Sequence, residues 1–178
     1  MAARNSSVDL DRDPKTIVAT REFEAPRALA FEVWTDPRPL SPKHLAHKHL
    51  AQWWCPDGLT TTTSRFDMKV GGAWRFVVHG PDGRNHEHRI TFDKIVAPDL
   101  IRYHHGGEDD LETVQFRTTV TFEELERNLT RVTLHATFPS AAERDRVVKE
   151  YGAAEGAKQT LSRLADYVAG RTINKQSA

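Results

Sequence analysis

Trp53-Trp54-Cys55-Pro56-Asp57-Gly58 and, after a threonine-rich stretch, Asp67-Met68-Lys69-Val70-Gly71-Gly72-Ala73-Trp74-Arg75-Phe76 decide the fold. Paired glycines ahead of an aromatic run let the backbone bend where a side chain would clash, so the second segment reads as a tight turn feeding a strand. The first segment places two indoles beside a proline turn just before it. Together they predict an antiparallel sheet curved around apolar material.

Working outward, 178 residues with 38% apolar side chains suffice for one core and scarcely for two. The expectation is a leader over residues 1–14 that cannot offset its ordering entropy by burial, a single domain over 15–170, and a flexible tail over 171–178. Basic and acidic residues number 25 each and cancel, which leaves no net field to hold nucleic acid or an anionic membrane. The single cysteine, Cys55, has no intrachain partner, and no run approaches the roughly 20 apolar residues of a membrane span. A cytoplasmic location is expected, with no secretory h-region at the start of the chain.

Thr16-Ile17-Val18-Ala19-Thr20-Arg21-Glu22-Phe23 alternates and reads as the first strand. Pro26 opens a short helix to Trp34, and a second is expected over residues 42–53. The period then becomes two. Turn signals at Gly71-Gly72, Gly80-Pro81-Asp82-Gly83, Ala97-Pro98-Asp99, Gly106-Gly107 and Glu126-Arg127-Asn128 divide six strands: 60–66, 73–79, 85–96, 100–105, 114–124 and 129–138. Connections this short make a meander. Helical period returns after Pro139, with Ser140 as N-cap, Glu143 as its capping-box partner, and a long helix to about Ala169 that Gly152 and Gly156 bend or interrupt. The fold class is α+β: a curved antiparallel sheet of about seven strands around a long C-terminal helix, with two short helices after the first strand.

Five ordered elements carry a resemblance: Glu24-Ala25-Pro26 through Trp34-Thr35-Asp36-Pro37; Trp53-Trp54 with Pro56; Gly71-Gly72 with Trp74-Arg75-Phe76; Phe138-Pro139-Ser140-Ala141 with Arg144; and Gly156 with Gln159-Thr160-Leu161 and Leu164. Spread over residues 16–169, they resemble the activator of Hsp90 ATPase homologue (AHSA1-like) family of the START/Bet v 1-like (SRPBCC) superfamily. The resemblance implies a helix-grip fold whose sheet and last helix enclose a cavity for an apolar ligand. It also implies three functional classes: ligand carrier, polyketide-cyclase-like enzyme, and Hsp90 co-chaperone-like or other protein-partner module. The co-chaperones carry a further N-terminal domain, for which this length leaves no room, so a chaperone is not the expected partner. Two departures stand out. Ala157 occupies a position where the family often has Trp, and much of residues 39–51 is an insertion.

Strand alternation proposes the pocket wall independently. With Trp74, Phe76 and Val78 inward, the same parity turns Ile90, Phe92, Val120, Phe122, Val132 and Leu134 toward the concave face. The helix adds Leu161 and Leu164, and Trp34, Trp53 and Trp54 are candidates for the cavity mouth. A small hydrophobic or amphipathic molecule is the expected partner, with no cofactor. The catalytic alternative rests on His88 and His105, imidazoles beside the pocket strands that could move a proton on a bound carbonyl compound. His44, His47 and His49 cluster, and His86 and His88 share a strand face, but no diagnostic metal-ligand spacing accompanies them, and no metal site is expected. Oligomeric state does not follow from the sequence.

Overall fold

The computed structural model describes residues 5–35, 48–106 and 115–176, with side chains over 5–35, 50–106 and 115–170. Its elements run β1 (Ser6–Asp9), β2 (Thr16–Phe23), α1 (Arg27–Thr35), α2 (Lys48–Trp53), β3 (Thr60–Phe66), β4 (Ala73–His79), β5 (Asn85–Val96), β6 (Leu100–His105), β7 (Arg117–Glu126), β8 (Leu129–Thr137), α3 (Ala141–Tyr151) and α4 (Ala153–Gln176). The strands form one open antiparallel sheet in the order β1-β2-β8-β7-β6-β5-β4-β3. The meander runs without a break from β3 to β8, and β2 closes against β8.

Four expectations need correction. Ser6–Asp9, within the segment read as a leader, pairs with Val18–Arg21 of β2, making eight strands rather than seven. Four residues carry too little periodicity to declare a strand, and their partner supplies the missing stability. The interruption expected in the terminal helix falls at Gly152, which in the left-handed conformation at φ 61° caps α3 with its N–H on the Val148 carbonyl. Gly156 lies inside α4 without interrupting it, and α4 extends to Gln176, into the expected tail. The capping box is half formed. Ser140 Oγ accepts the Glu143 N–H at 3.1 Å, but the Glu143 carboxylate turns to Arg146 at 2.6 Å. Of the second predicted helix, residues 42–47 lie outside the described residues.

The middle of the concave face is apolar. Trp74 pairs with Ile90, Phe92 with Tyr103, and Phe122 with Val132, so these neighbours share one side of the sheet. Eight of the nine residues assigned inward by parity are buried, from Trp74 to Val132; Leu134 is partly covered. Against them α4 lays Leu161, Leu164, Ala165 and Val168, and α1 lays Leu29, Phe31, Val33 and Trp34. Buried Thr130 ties the strands to the helical layer by donating from Oγ1 to the Ala25 carbonyl at 2.7 Å.

The Gly71-Gly72 turn sets the start of β4. Gly71 has φ 78°, and a Cβ on Gly72 would sit 2.2 Å from the Asp67 carbonyl oxygen. The turn is also stitched to β5, Gly71 N–H to Phe92 O at 2.8 Å and Phe92 N–H to Gly72 O at 3.0 Å. Gly72→Ala is expected to cost about 2–4 kcal/mol in urea unfolding, because backbone rather than a movable side chain must give way. Gly170→Ala, in open helical space, should instead stabilise by about 0.5–1 kcal/mol. Equal effects at the two sites would refute this reading of the turn.

Candidate functional site

Every residue the sequence proposes for the ligand site lies in one buried cluster: Trp34, Trp53, Trp54, Trp74, Phe76, Ile90, Phe92, Val120, Phe122, Leu161 and Leu164. Rings meet mostly edge to face. Trp34 lies 4.8 Å from Trp53 and 5.7 Å from Trp54, and Trp54 lies 4.8 Å from Trp74, which stacks on Phe76 at 4.2 Å. Each such pair adds about 0.5–1.5 kcal/mol beyond burial. Trp34, Trp53 and Trp54, read as a cavity mouth, are instead packed inside, at 3%, 0% and 9% exposure. An aromatic ring has enough apolar surface to be drawn under the sheet even from a helix end.

The gap bounded by Trp34, Trp54, Phe66, Trp74, Ile90, Phe92 and Tyr103 has no room for a water molecule. Phe66 and Tyr103 complete the wall. Alternation in β6 could have found Tyr103, whose phenol is raised above its ordinary range by complete burial, with the Thr118 hydroxyl pulling the other way. Polar atoms are few here. Trp74 Nε1 donates to Thr63 Oγ1 at 3.0 Å, whereas Trp53 Nε1 is buried without a partner among the described residues.

The tryptophan turn is held to α4 by Arg163. Its guanidinium donates to the carbonyls of Cys55 at 3.0 Å, Pro56 at 3.1 Å and Gln52 at 3.1 Å, and Gln159 Oε1 accepts the Asp57 N–H at 3.2 Å. Gly156, one turn earlier on that helical face, lets Pro56 approach so closely that an added Cβ would meet its Cγ at 3.0 Å. Cys55 takes φ 83° at the apex of this turn, an uncommon conformation for a residue with a side chain. Burial pushes its thiol from 9.0 up to about 12, and the Arg163 charge recovers only part of that. Ala157, at the position where a Trp was expected, is partly buried against the cluster.

The two candidate histidines also come together. Cross-strand pairing of Phe76 with His88 and of Ile90 with His105 puts both on the concave face. Their ring centroids are 6.4 Å apart, His88 stacks on Phe76 at 5.2 Å, and Tyr103 lies 5.7 Å from His105. His104 points the other way, its Nδ1 2.8 Å from Asp93 Oδ1. No group of three or more His, Cys, Asp or Glu suited to a metal occurs among the described residues; His44 and His47, and the His49 side chain, lie outside them. No helix among those residues is long and apolar enough to cross a membrane.

The model of the family described as activator of Hsp90 ATPase homolog 1-like protein matches residues 24–169. Among solved structures, a protein from Arthrobacter aurescens is 27% identical, with a TM-score of 0.78 over 92% of this chain and 91% of that one. A Mycobacterium smegmatis protein is 24% identical, with a TM-score of 0.72 over 93% and 96%. DynU16, a protein in the dynemicin biosynthetic locus, is 18% identical with a TM-score of 0.58, and the alignment spans 87% of this chain and 47% of that one. The last two likenesses show the fold. No curated protein matches the sequence.

The Arg163 clamp should govern access to Cys55. In the native protein the thiol should react with a disulfide reagent at pH 8 at least about 100-fold more slowly than in denaturant, as burial and a raised pKa both withhold the thiolate. Arg163→Gln should raise the native rate at least about tenfold and cost about 1.5–3 kcal/mol; an unchanged rate would mean the clamp does not hold the turn. Between pH 9 and 12 the unfolded thiol loses its proton while the folded one keeps it. Cys55 therefore makes stability fall as pH rises through that window, a slope that Cys55→Ala should lessen.

Proposed function

The chain belongs to the activator of Hsp90 ATPase homolog 1-like family, and from that premise we propose that it binds a small hydrophobic or amphipathic molecule between the sheet and α4. The carrying observation is the composition of the cluster there: all four tryptophans of the chain, with Phe66, Phe76 and Phe92, converge on one wall. A core needs only volume. Concentrating indoles and phenyls on the concave face gives a surface that can close on itself or on a planar apolar guest, since edge-to-face contacts rearrange at modest cost.

In the closed arrangement the guest's place is filled by the protein's own rings. Binding therefore requires Trp54 and its turn to move away from Trp74, and the affinity is the ligand's contacts less the cost of opening. The buried Trp53 Nε1, without a partner among the described residues, offers a donor to an amphipathic guest. Chaperone contact has no comparable support: nothing in this wall presents a surface to a protein partner.

A second reading has its own observation. His88 and His105 adjoin this wall with Tyr103 beside them, so a bound polyketide-like carbonyl compound could be protonated or deprotonated there. It predicts that His105→Gln abolishes turnover while ligand affinity stays within about threefold; binding without turnover in the wild type excludes it.

The test of the main reading is native mass spectrometry of freshly purified protein, with thermal shifts against fatty acids, sterols and aromatic polyketides. A retained or stabilising compound is expected, worth about 2.7 kcal/mol at a hundred times its Kd, accompanied by altered tryptophan emission. Trp74→Ala, verified as folded by circular dichroism, should lose it. Wild-type protein that arrives empty and is neither stabilised nor optically changed by any class would overturn the proposal.

A further inference from the structure

A second concavity lies outside the aromatic core, across the ends of β6, β7 and β8. It has a volume of about 490 Å³ and is lined by His104, His105, Gln115, Phe116, Arg117, Thr137, Phe138 and Pro139. Its two lips differ chemically because strand neighbours face opposite ways. One lip is aromatic: His105 stacks on Phe116 at 4.1 Å and 18°, and Phe116 on Phe138 at 5.0 Å and 23°. The other carries His104, Arg117 and Thr137.

The polar lip is organised from behind. Asp93 is the extra residue of a β-bulge: Phe92 pairs with Tyr103 and Lys94 with Arg102, leaving Asp93 unpaired. Bulges redirect a side chain, and here the carboxylate reaches both basic groups. Oδ1 lies 2.8 Å from His104 Nδ1, and Oδ2 lies 3.5 Å from Arg117 Nε. That geometry hydrogen-bonds His104 and holds Arg117 Nε by ionic contact alone, since Asp93 Oδ2 has no hydrogen-bond partner among the described residues. It leaves His104 Nε2 and the Arg117 terminal nitrogens without a partner among the described residues, on side chains that are 39% and 65% exposed. Arg117 offers two parallel N–H donors, the geometry that recognises a carboxylate.

We propose that this groove is a binding site for a planar aromatic carboxylate, its ring lying along the Phe116 and Phe138 lip and its carboxylate on the Arg117 terminal nitrogens. Asp93 is a positioning residue that holds Arg117 and His104 toward the groove. The site does not rest on the ligand proposed for the core, because none of its lining residues belongs to the tryptophan wall.

The test is ¹⁵N NMR titration of the full chain with 2-naphthoate and with its neutral isostere 2-naphthamide. Naphthoate should shift the amides of residues 104–106, 115–117 and 137–138 saturably and bind at least about tenfold more tightly than the amide. Arg117→Gln, at an exposed position, should remove that advantage, and Asp93→Asn should weaken naphthoate with the fold intact. Phe116→Ala should weaken both compounds. Equal affinity for the two, unchanged naphthoate binding in Arg117→Gln, shifts centred on Trp74 and Ile90, or no saturable shift would each overturn the proposal. Shifts confined to Trp74 and Ile90 would at the same time support the core reading, so the two proposals fail separately.

Discussion

The contact between Trp54 and Trp74, at 4.8 Å, is the interaction on which the rest of the molecule depends. Trp74 belongs to a strand whose start is dictated by a glycine turn. Trp54 belongs to a turn between a short helix and an edge strand, with no ladder of its own to hold it. Arg163 supplies that hold by covering two carbonyls of the turn and one at the end of α2, so α4 fixes the turn, the turn fixes Trp54, and Trp54 closes the wall. Removing water from this set is the main favourable term, at about 1.5–3 kcal/mol for each large side chain fully buried. The positive φ at Cys55 is a local cost that the clamp and the burial of both indoles offset.

The two proposed sites use different parts of the sheet. Its concave face is sealed at the tryptophan end and continues through His88 and His105 toward the ends of β6–β8, where it opens. At the sealed end, selectivity would come from shape and from the cost of parting rings. At the open end, it would come from charge set on a rim by one bulged aspartate. Membership of the family fixes the scaffold; function has to be argued from these local features.

Much of the scaffold was legible in the sequence because one physical rule acts on every strand. Alternation placed β4, β5 and β6 residue for residue, and parity assigned Trp74, Phe76, Ile90, Phe92, Val120, Phe122 and Val132 inward, because a slip of one residue would bury charge. What could not be read has equally specific causes. β1 is too short for periodicity and exists by pairing with β2. Gly152 and Gly156 look alike as helix breakers in the sequence, yet only Gly152 takes the left-handed conformation, while Gly156 serves its closeness to Pro56. The burial of Trp34, Trp53 and Trp54 depends on contacts among distant segments, as does the meeting of Arg163 with a turn about a hundred residues away. The bulge at Asp93, which organises the groove, leaves no composition signal at all.

The most direct test of the central claim, that the tryptophan wall opens to admit an apolar guest, is ¹⁹F NMR of protein labelled with 5-fluorotryptophan. Four resonances are expected, one for each tryptophan, assigned by single Trp→Phe replacements. An apolar ligand is expected to move the Trp54 and Trp74 signals together and saturably, the two sides of the contact parting as one event. If a ligand binds and saturates while both signals stay in place, the wall is a sealed core and the function lies elsewhere on the molecule.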